Sequence, residues 1–146
     1  MPAVPTVRVP IALGERSYEI WIGERVLADA ASFDGLPRAA SAVVVSNATV
    51  SALHGAQLHA MLGRRYARVL HVDIPDGEAH KDWSSLELIF DHLLAHACDR
   101  KTVLFALGGG VVGDVAGFAA ACYMRGVPYV QVPTPLLAQV DSSVGG

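Results

Sequence analysis

Two uninterrupted apolar runs, Ala42-Val43-Val44-Val45 and Val103-Leu104-Phe105-Ala106-Leu107, constrain the fold of this chain most. A strand with one face in water alternates polar and apolar residues, whereas a strand apolar at every position needs cover on both faces, as in a parallel sheet. Around these runs the apolar spacing changes to threes and fours. Leu86, Ile89, Phe90, Leu93, Leu94 and Ala97 predict a helix from about Asp82 to Ala97, and a similar pattern predicts one from about Thr49 to Arg64. Arg68 to Val72 and Val127 to Val132 supply two more short strands, and a further helix follows Gly108-Gly109-Gly110 and ends near Met124. Strands alternating with helices, joined by right-handed crossovers, give an α/β fold: a doubly wound parallel-sheet αβα sandwich. In front of it Val7, Val9 and Ile11, then Tyr18, Ile20 and Ile22, alternate about Gly14-Glu15-Arg16-Ser17 and predict an amino-terminal β-hairpin. A polar link from Ser32 to Arg38 joins the two parts.

Composition narrows the function class. The 146 residues are 52% hydrophobic and 17% charged, which excludes intrinsic disorder and allows one domain with a real core. A net charge of -3 leaves no basic stripe, so nucleic acid and acidic membrane surfaces are excluded as partners. From Thr102 to Met124 the only charge is Asp114, but Gly108, Gly109, Gly110, Gly113 and Gly117 interrupt the run. A mid-span aspartate costs about 2.5–3.5 kcal/mol on insertion, so this is strand, loop and buried helix, with no membrane span. Met1 to Pro10 lacks the pattern of a secretory signal, and Cys98 and Cys122 read as free thiols of a reducing compartment; a cytoplasmic location is expected. The final Ser142-Ser143-Val144-Gly145-Gly146 resembles a connection between elements, so a longer protein is expected.

Open parallel sheets bind ligands outside the carboxyl ends of their strands. Those ends are Ser46-Asn47, Asp73 to Lys81, Gly108 to Gly110, and Pro133-Thr134. Gly108-Gly109-Gly110-Val111-Val112-Gly113 satisfies G-x-G-x-x-G between a strand and a helix, where backbone N–H groups and the helix dipole attract phosphate. It follows the third strand of the βα series, and no Asp or Glu lies between Asp114 and Asp141 to hold a ribose in the usual dinucleotide arrangement. The other reading is a tight turn with close helix packing. Asp76-Gly77-Glu78 with Lys81 could hydrogen-bond ribose hydroxyls and pair with phosphate, or could cap the next helix. His92 and His96 have metal-ligand spacing but lack a third ligand, and no metal site is expected. Arg125 and Asp141 are isolated charges in an apolar stretch; a ligand contact is expected for Asp141, and Arg125 stays open between surface and ligand.

Three blocks then resemble the amino-terminal part of the 3-dehydroquinate synthase family, within the sugar phosphate cyclases. They are Pro75-Asp76-Gly77-Glu78-Ala79-His80-Lys81, Ala106 to Asp114, and Gln131 to Gly146, with Tyr123-Met124-Arg125-Gly126 also fitting. The resemblance implies an NAD- and divalent-metal-dependent lyase, with zinc or cobalt. Such an enzyme converts 3-deoxy-D-arabino-heptulosonate 7-phosphate into 3-dehydroquinate and phosphate in the shikimate pathway, toward chorismate and the aromatic amino acids. It implies that Asp76, Gly77, Glu78, Ala79, His80 and Lys81 contact the adenosine side of NAD. Gly109, Gly110, Val111, Val112, Gly113 and Asp114 would hold the pyrophosphate and nearby ribose, with Asn47 a further cofactor contact and Thr134 and Pro135 along the nicotinamide. Asp141 would contact substrate and cofactor, and Arg125 would reach the substrate phosphate of the adjacent subunit in a homodimer.

By the same resemblance the metal ligands lie in a helical domain beyond Gly146, so residues 1–146 are the NAD-binding domain and are expected to be inactive alone. Pro135 stands where the family commonly has threonine and removes an N–H and a hydroxyl. Metal-dependent alcohol and glycerol dehydrogenases share a Gly-Gly-Gly-x-x-x-Asp loop but place Ala-Lys soon after it, where this chain has Val115-Ala116-Gly117-Phe118. A different cyclase, such as one similar to 2-deoxy-scyllo-inosose synthase, and a non-catalytic nucleotide-binding module are the alternative readings.

Overall fold

The computed structural model describes Pro2 and residues 4–134, so Pro135, Asp141 and the Gly145-Gly146 end lie outside the described residues. The chain forms two compact units, Met1–Leu36 and Pro37–Gly146.

In the first unit β1 (Val7–Ile11) pairs antiparallel with β2 (Tyr18–Ile22), Val7 opposite Ile22 and Ile11 opposite Tyr18, as the alternation predicts. Gly14, at φ 65, allows the turn, and Ser17 Oγ locks it by donating to the Gly14 carbonyl at 2.7 Å. The opposed pair Arg8 and Trp21 forms a cation–π contact, 4.1 Å from guanidinium to ring centroid. Two 3-10 turns follow, Val26–Ala28 and Ala30–Phe33, the second capped by Asp29, so the expected link from Ser32 begins inside a turn.

The second unit is a four-stranded parallel sheet of β3 (Ser41–Ser46), β4 (Arg68–Asp73), β5 (Val103–Gly108) and β6 (Tyr129–Pro133), in the order β4-β3-β5-β6. Its helices are α1 (Ala48–Val50), α2 (Ala56–Leu62), α3 (Trp83–Ala95) and α4 (Gly110–Cys122). The chain moves one way from β3 to β4 and then reverses across β3 to β5 and β6. Right-handed crossovers therefore put α2 on one face and α3 and α4 on the other. The burial bears this out. Val43, Val45, Leu104 and Ala106 pack with Ile89 and Leu93 of α3 and Val112, Val115 and Ala119 of α4. On the opposite face Phe105 meets Tyr66 edge to face at 5.8 Å. Both central strands are buried at every position, and complete burial of such side chains contributes about 1.5–3 kcal/mol each.

The helix expected as one piece from Thr49 is broken by a π turn at Ser51–Gly55 between α1 and α2. Within this turn Ser51 Oγ donates to Asp73 Oδ1 at 2.7 Å and lies 3.0 Å from His71 Nε2. α3 ends two residues earlier than expected in a Schellman turn. Cys98 N donates to Leu93 O at 2.9 Å, Ala97 N donates to Leu94 O at 3.1 Å, and Ala97 takes φ 50.

Candidate functional site at the carboxyl edge

Because the chain reverses between β3 and β5, their carboxyl ends flank the switch point where ligands enter such sheets. Ser46 closes the end of β3 by donating from Oγ to Leu107 O of β5 at 2.6 Å, and Asn47 follows as the cap of α1. Asn47 Oδ1 accepts from Val50 N at 2.9 Å, and its Nδ2 donates to Asp76 Oδ1 at 3.3 Å. The first candidate is thus buried, half structural, and joined to the second.

The loop after β4 turns at Gly77, φ 104, into the 3-10 turn Glu78–His80. Asp76, Gly77, Glu78, Ala79, His80 and Lys81 are all exposed. The geometry excludes one of the two readings of these acids, the helix cap. The cap of α3 is Asp82, which accepts from Ser85 N at 3.0 Å, while Ser85 Oγ donates to His80 O at 2.6 Å. Asp76 and Glu78 are not spent on the helix. Lys81 Nζ reaches Asp114 Oδ2 at 2.8 Å and Glu78 Oε1 at 3.1 Å, and these hydrogen bonds, Asp114 first, raise the lysine above its ordinary value.

Between β5 and α4 the glycines divide into two kinds. A Cβ on Gly108 would lie 3.0 Å from Val112 Cγ2 and one on Gly113 would lie 3.3 Å from Gln131 Nε2, so both serve close packing. Val112 is 2% exposed and its side chain belongs to the core, so only its backbone can serve a ligand. Gly109, the cap residue of α4, supplies no side-chain cap, and Gly113 N makes the early helical bond back to Gly109 O at 3.0 Å. A helix start leaves its first N–H groups without intrahelical acceptors, here on Gly110, Val111 and Val112, with the positive end of the dipole behind them.

Two supports were not foreseen from sequence. Tyr129 Oη donates to Gly113 O at 2.7 Å, and burial pushes this phenol up to about 12. Tyr129 and Gln131 form the floor under the first turn of α4; their even spacing along β6 is the signal that placed them on one face. Thr134 N donates to Gly108 O at 3.1 Å, bringing the end of β6 to the same loop.

Arg125 is not brought to this edge. It is exposed beyond the far end of α4, on the order of 20 Å from Gly110 at 1.5 Å per residue. Met124 (φ 46), Arg125 (φ 68) and Gly126 (φ 112) are consecutive left-handed residues, a strained corner of the kind found near functional groups. Cys98 and Cys122 are free. Among the described residues no group of three or more His, Cys, Asp or Glu is placed to hold a metal ion, and no helix is long and apolar enough to cross a membrane.

Fold and site define a doubly wound α/β domain whose switch point offers backbone donors at a helix start beside a carboxylate-lined loop. The chain belongs to the 3-dehydroquinate synthase N-terminal family, whose model matches residues 71–146. Similar solved structures include 2-deoxy-scyllo-inosose synthase complexed with carbaglucose-6-phosphate, NAD+ and Co2+. It has 27% identity and a TM-score of 0.84, with 93% of this chain and 38% of that chain covered. The 2-epi-5-epi-valiolone synthase of Streptomyces hygroscopicus subsp. jinggangensis 5008, with NAD+ and Zn2+ bound, has 34% identity and a TM-score of 0.75 over 92% of this chain and 37% of that one. Glycerol dehydrogenase from Schizosaccharomyces pombe, at 17% identity and a TM-score of 0.51, shares the fold alone. The chain spans 37–38% of the length of the two cyclases.

Proposed function

We propose that this chain is the NAD-binding part of a sugar phosphate cyclase, and that the cyclase is a 3-dehydroquinate synthase acting on 3-deoxy-D-arabino-heptulosonate 7-phosphate. The observation that carries the reading is the Lys81–Asp114 contact, which ties the Asp76–Lys81 loop to the first turn of α4 at the switch point. The residues present suit a dinucleotide. Backbone N–H groups of Gly110, Val111 and Val112 face the place for a pyrophosphate, and Asp76, Glu78 and Asp114 offer acceptors for ribose hydroxyls. NAD+, when bound, supplies reversible acceptance of hydride from a substrate carbinol, which acidifies the neighbouring C–H and permits loss of phosphate.

The chain's own part is to bind and orient. Asn47 holds Asp76 in place, Lys81 holds Asp114 and Glu78, and Tyr129 fixes the height of the helix start. Thr134, held beside Gly108, would line the nicotinamide side with Pro135, and Asp141 would meet the substrate. Arg125, remote from this edge, would serve the substrate phosphate of a second subunit in a homodimer. A divalent metal, zinc or cobalt, would be held by residues outside this chain, and the cytoplasm is the proposed location.

A second reading, a cyclase for another heptulose or hexose phosphate, is favoured by the likeness to inosose and valiolone synthases. The test is phosphate release by the full-length protein with NAD+ and Zn2+ or Co2+, offered each sugar phosphate in turn. Turnover of 3-deoxy-D-arabino-heptulosonate 7-phosphate is expected. Turnover only of another sugar phosphate would establish the second reading, and NAD+ binding without any turnover would point to a non-catalytic module.

A further inference from the structure

Four polar side chains from three elements meet on the α2 face of the edge strand β4. Leu70 and Val72 pack with the core under α3 and α4, so the alternate residues His71 and Asp73 turn to the other face. There His71 Nδ1 lies 2.8 Å from Nε2 of His59 on α2, and His71 Nε2 lies 2.7 Å from Asp73 Oδ1 and 3.0 Å from Ser51 Oγ of the π turn. Both imidazoles are half-buried, which leaves them within reach of a small ion.

The hydrogen-bond pattern fixes which nitrogen of His71 carries the proton. Ser51 Oγ spends its one proton on Asp73 Oδ1 at 2.7 Å, and the carboxylate only accepts. Both groups therefore take His71 Nε2–H as their donor, and Nδ1 is left with its lone pair, facing His59. This is how a metal-ligating histidine is held: a carboxylate on the far N–H sets the tautomer, orients the ring and raises the basicity of the other nitrogen. Burial first, and His71 second, lower His59 below its ordinary 6.5, which favours the neutral form that ligates metals.

Without a metal, His59 Nε2–H donates to His71 Nδ1, and that bond accounts for the 2.8 Å separation. The same separation suits a metal whose ligands stand at right angles. With bonds of about 2.0–2.1 Å, two neighbouring nitrogens stand about 2.8–3.0 Å apart at a right angle and about 3.3–3.4 Å apart in a tetrahedron. We propose that His59 Nε2 and His71 Nδ1 form an exchangeable site for a divalent transition-metal ion with right-angled coordination, nickel(II) or copper(II), with Asp73 and Ser51 holding His71 in its ligating tautomer. On binding, the His59 ring proton moves from Nε2 to Nδ1, both facing lone pairs go to the metal, and water fills the remaining positions, so no net proton is released. Two protein nitrogens are fewer than the three ligands of a resident centre, and the ion therefore exchanges. The site does not rest on the cofactor reading.

The test is a site-resolved NMR titration of the full-length protein, saturated with NAD+, with Ni2+, Zn2+ and Mg2+ in separate runs, observing histidine ring nitrogens and backbone amides. Before metal is added, His71 is expected as the Nε2–H tautomer. Ni2+ should broaden the His59 and His71 signals saturably and bind more tightly than Zn2+, while Mg2+, which prefers oxygen ligands, should leave them unmoved. H59Q should weaken Ni2+ binding roughly tenfold or more with NAD+ affinity unchanged, and H96Q should leave Ni2+ binding as it is. D73N should weaken it about tenfold through the tautomer and orientation of His71, and it carries the expectation if H59Q does not fold. A His71 protonated at Nδ1, broadening that does not saturate, tighter binding of Zn2+ than of Ni2+, or Ni2+ affinity unchanged in H59Q or in D73N would overturn the proposal.

Discussion

Lys81 Nζ sits 2.8 Å from Asp114 Oδ2 and so fastens the loop after β4 to the first turn of α4, two segments belonging to successive βα units. Both side chains are more than a third exposed, at 39% and 38%. An exposed ion pair contributes about 0.2–1 kcal/mol to stability, so its main effect is on geometry.

K81M and D114N in the full-length protein should each lower stability by less than about 1 kcal/mol. Each should weaken NAD+ binding roughly tenfold or more, the loss expected for a charge-assisted hydrogen bond at the site. Calorimetric titration of the two single variants and the double variant measures the coupling. D114A should abolish NAD-dependent turnover, and NAD+ affinity unchanged in all of these variants would sink the assignment of the edge.

The two packing glycines should respond unequally to alanine. At Gly108, φ 156, the new Cβ would meet Val112 Cγ2 at 3.0 Å and Val112 Cβ at 3.1 Å, and Val112 is a stiff β-branched residue buried in the core. At Gly113 the obstacle is Gln131 Nε2 at 3.3 Å, the end of a side chain that can turn aside. G108A should cost about 1–3 kcal/mol and G113A clearly less, as read from urea unfolding. The reverse order would show that the helix start can move as a unit.

Much of this frame is legible in the sequence for one reason: β3 and β5 are covered on both faces, and continuous burial leaves an unbroken apolar run. The hairpin is legible for the complementary reason, its alternation. The π turn is not legible from local sequence; its first residue, Ser51, bonds to Asp73, 22 residues away. The candidate loops could be named from their strand ends, but the Lys81–Asp114 link and the support from Tyr129 join residues that only the sheet order brings together. Local sequence also offered two uses for the acids of Asp76–Glu78. The observed cap, Asp82, removes one of them.

Ala97 occupies the left-handed position that ends α3, at φ 50 with its side chain exposed, where glycine has no steric penalty. The Schellman bonds already in place at Leu93 and Leu94 need no rearrangement. A97G should therefore stabilise the fold by roughly 0.5–1 kcal/mol, offset in part by the greater freedom of glycine when unfolded. Thermal unfolding decides it: a lower melting temperature would mean that the alanine methyl group has a packing role.

Stability should form a plateau with two limbs, each traceable to partly or fully buried rings. Burial first, and the neighbouring His71 second, lower His59 below its ordinary 6.5; burial first, then His96 and His71, lower His92, whose buried Nε2 has no hydrogen-bond partner among the described residues. The unfolded chain takes up these protons near 6.5 and the folded chain resists them. Their contribution is thus present above about 6.5 and is lost as pH falls through the lower folded values. On the alkaline side burial raises Tyr66, Tyr123 and Tyr129, the last to about 12 from an ordinary 10.0. The folded state keeps protons that the unfolded state releases, so stability falls as pH rises from about 10 toward 12. Urea unfolding followed from pH 5 to 11.5 should show both limbs. H92L should flatten the acid limb because the unpartnered imidazole is gone, and Y129F should flatten the alkaline one. Limbs that persist unchanged in these variants would assign the pH dependence to other groups and leave the burial of these rings without thermodynamic consequence.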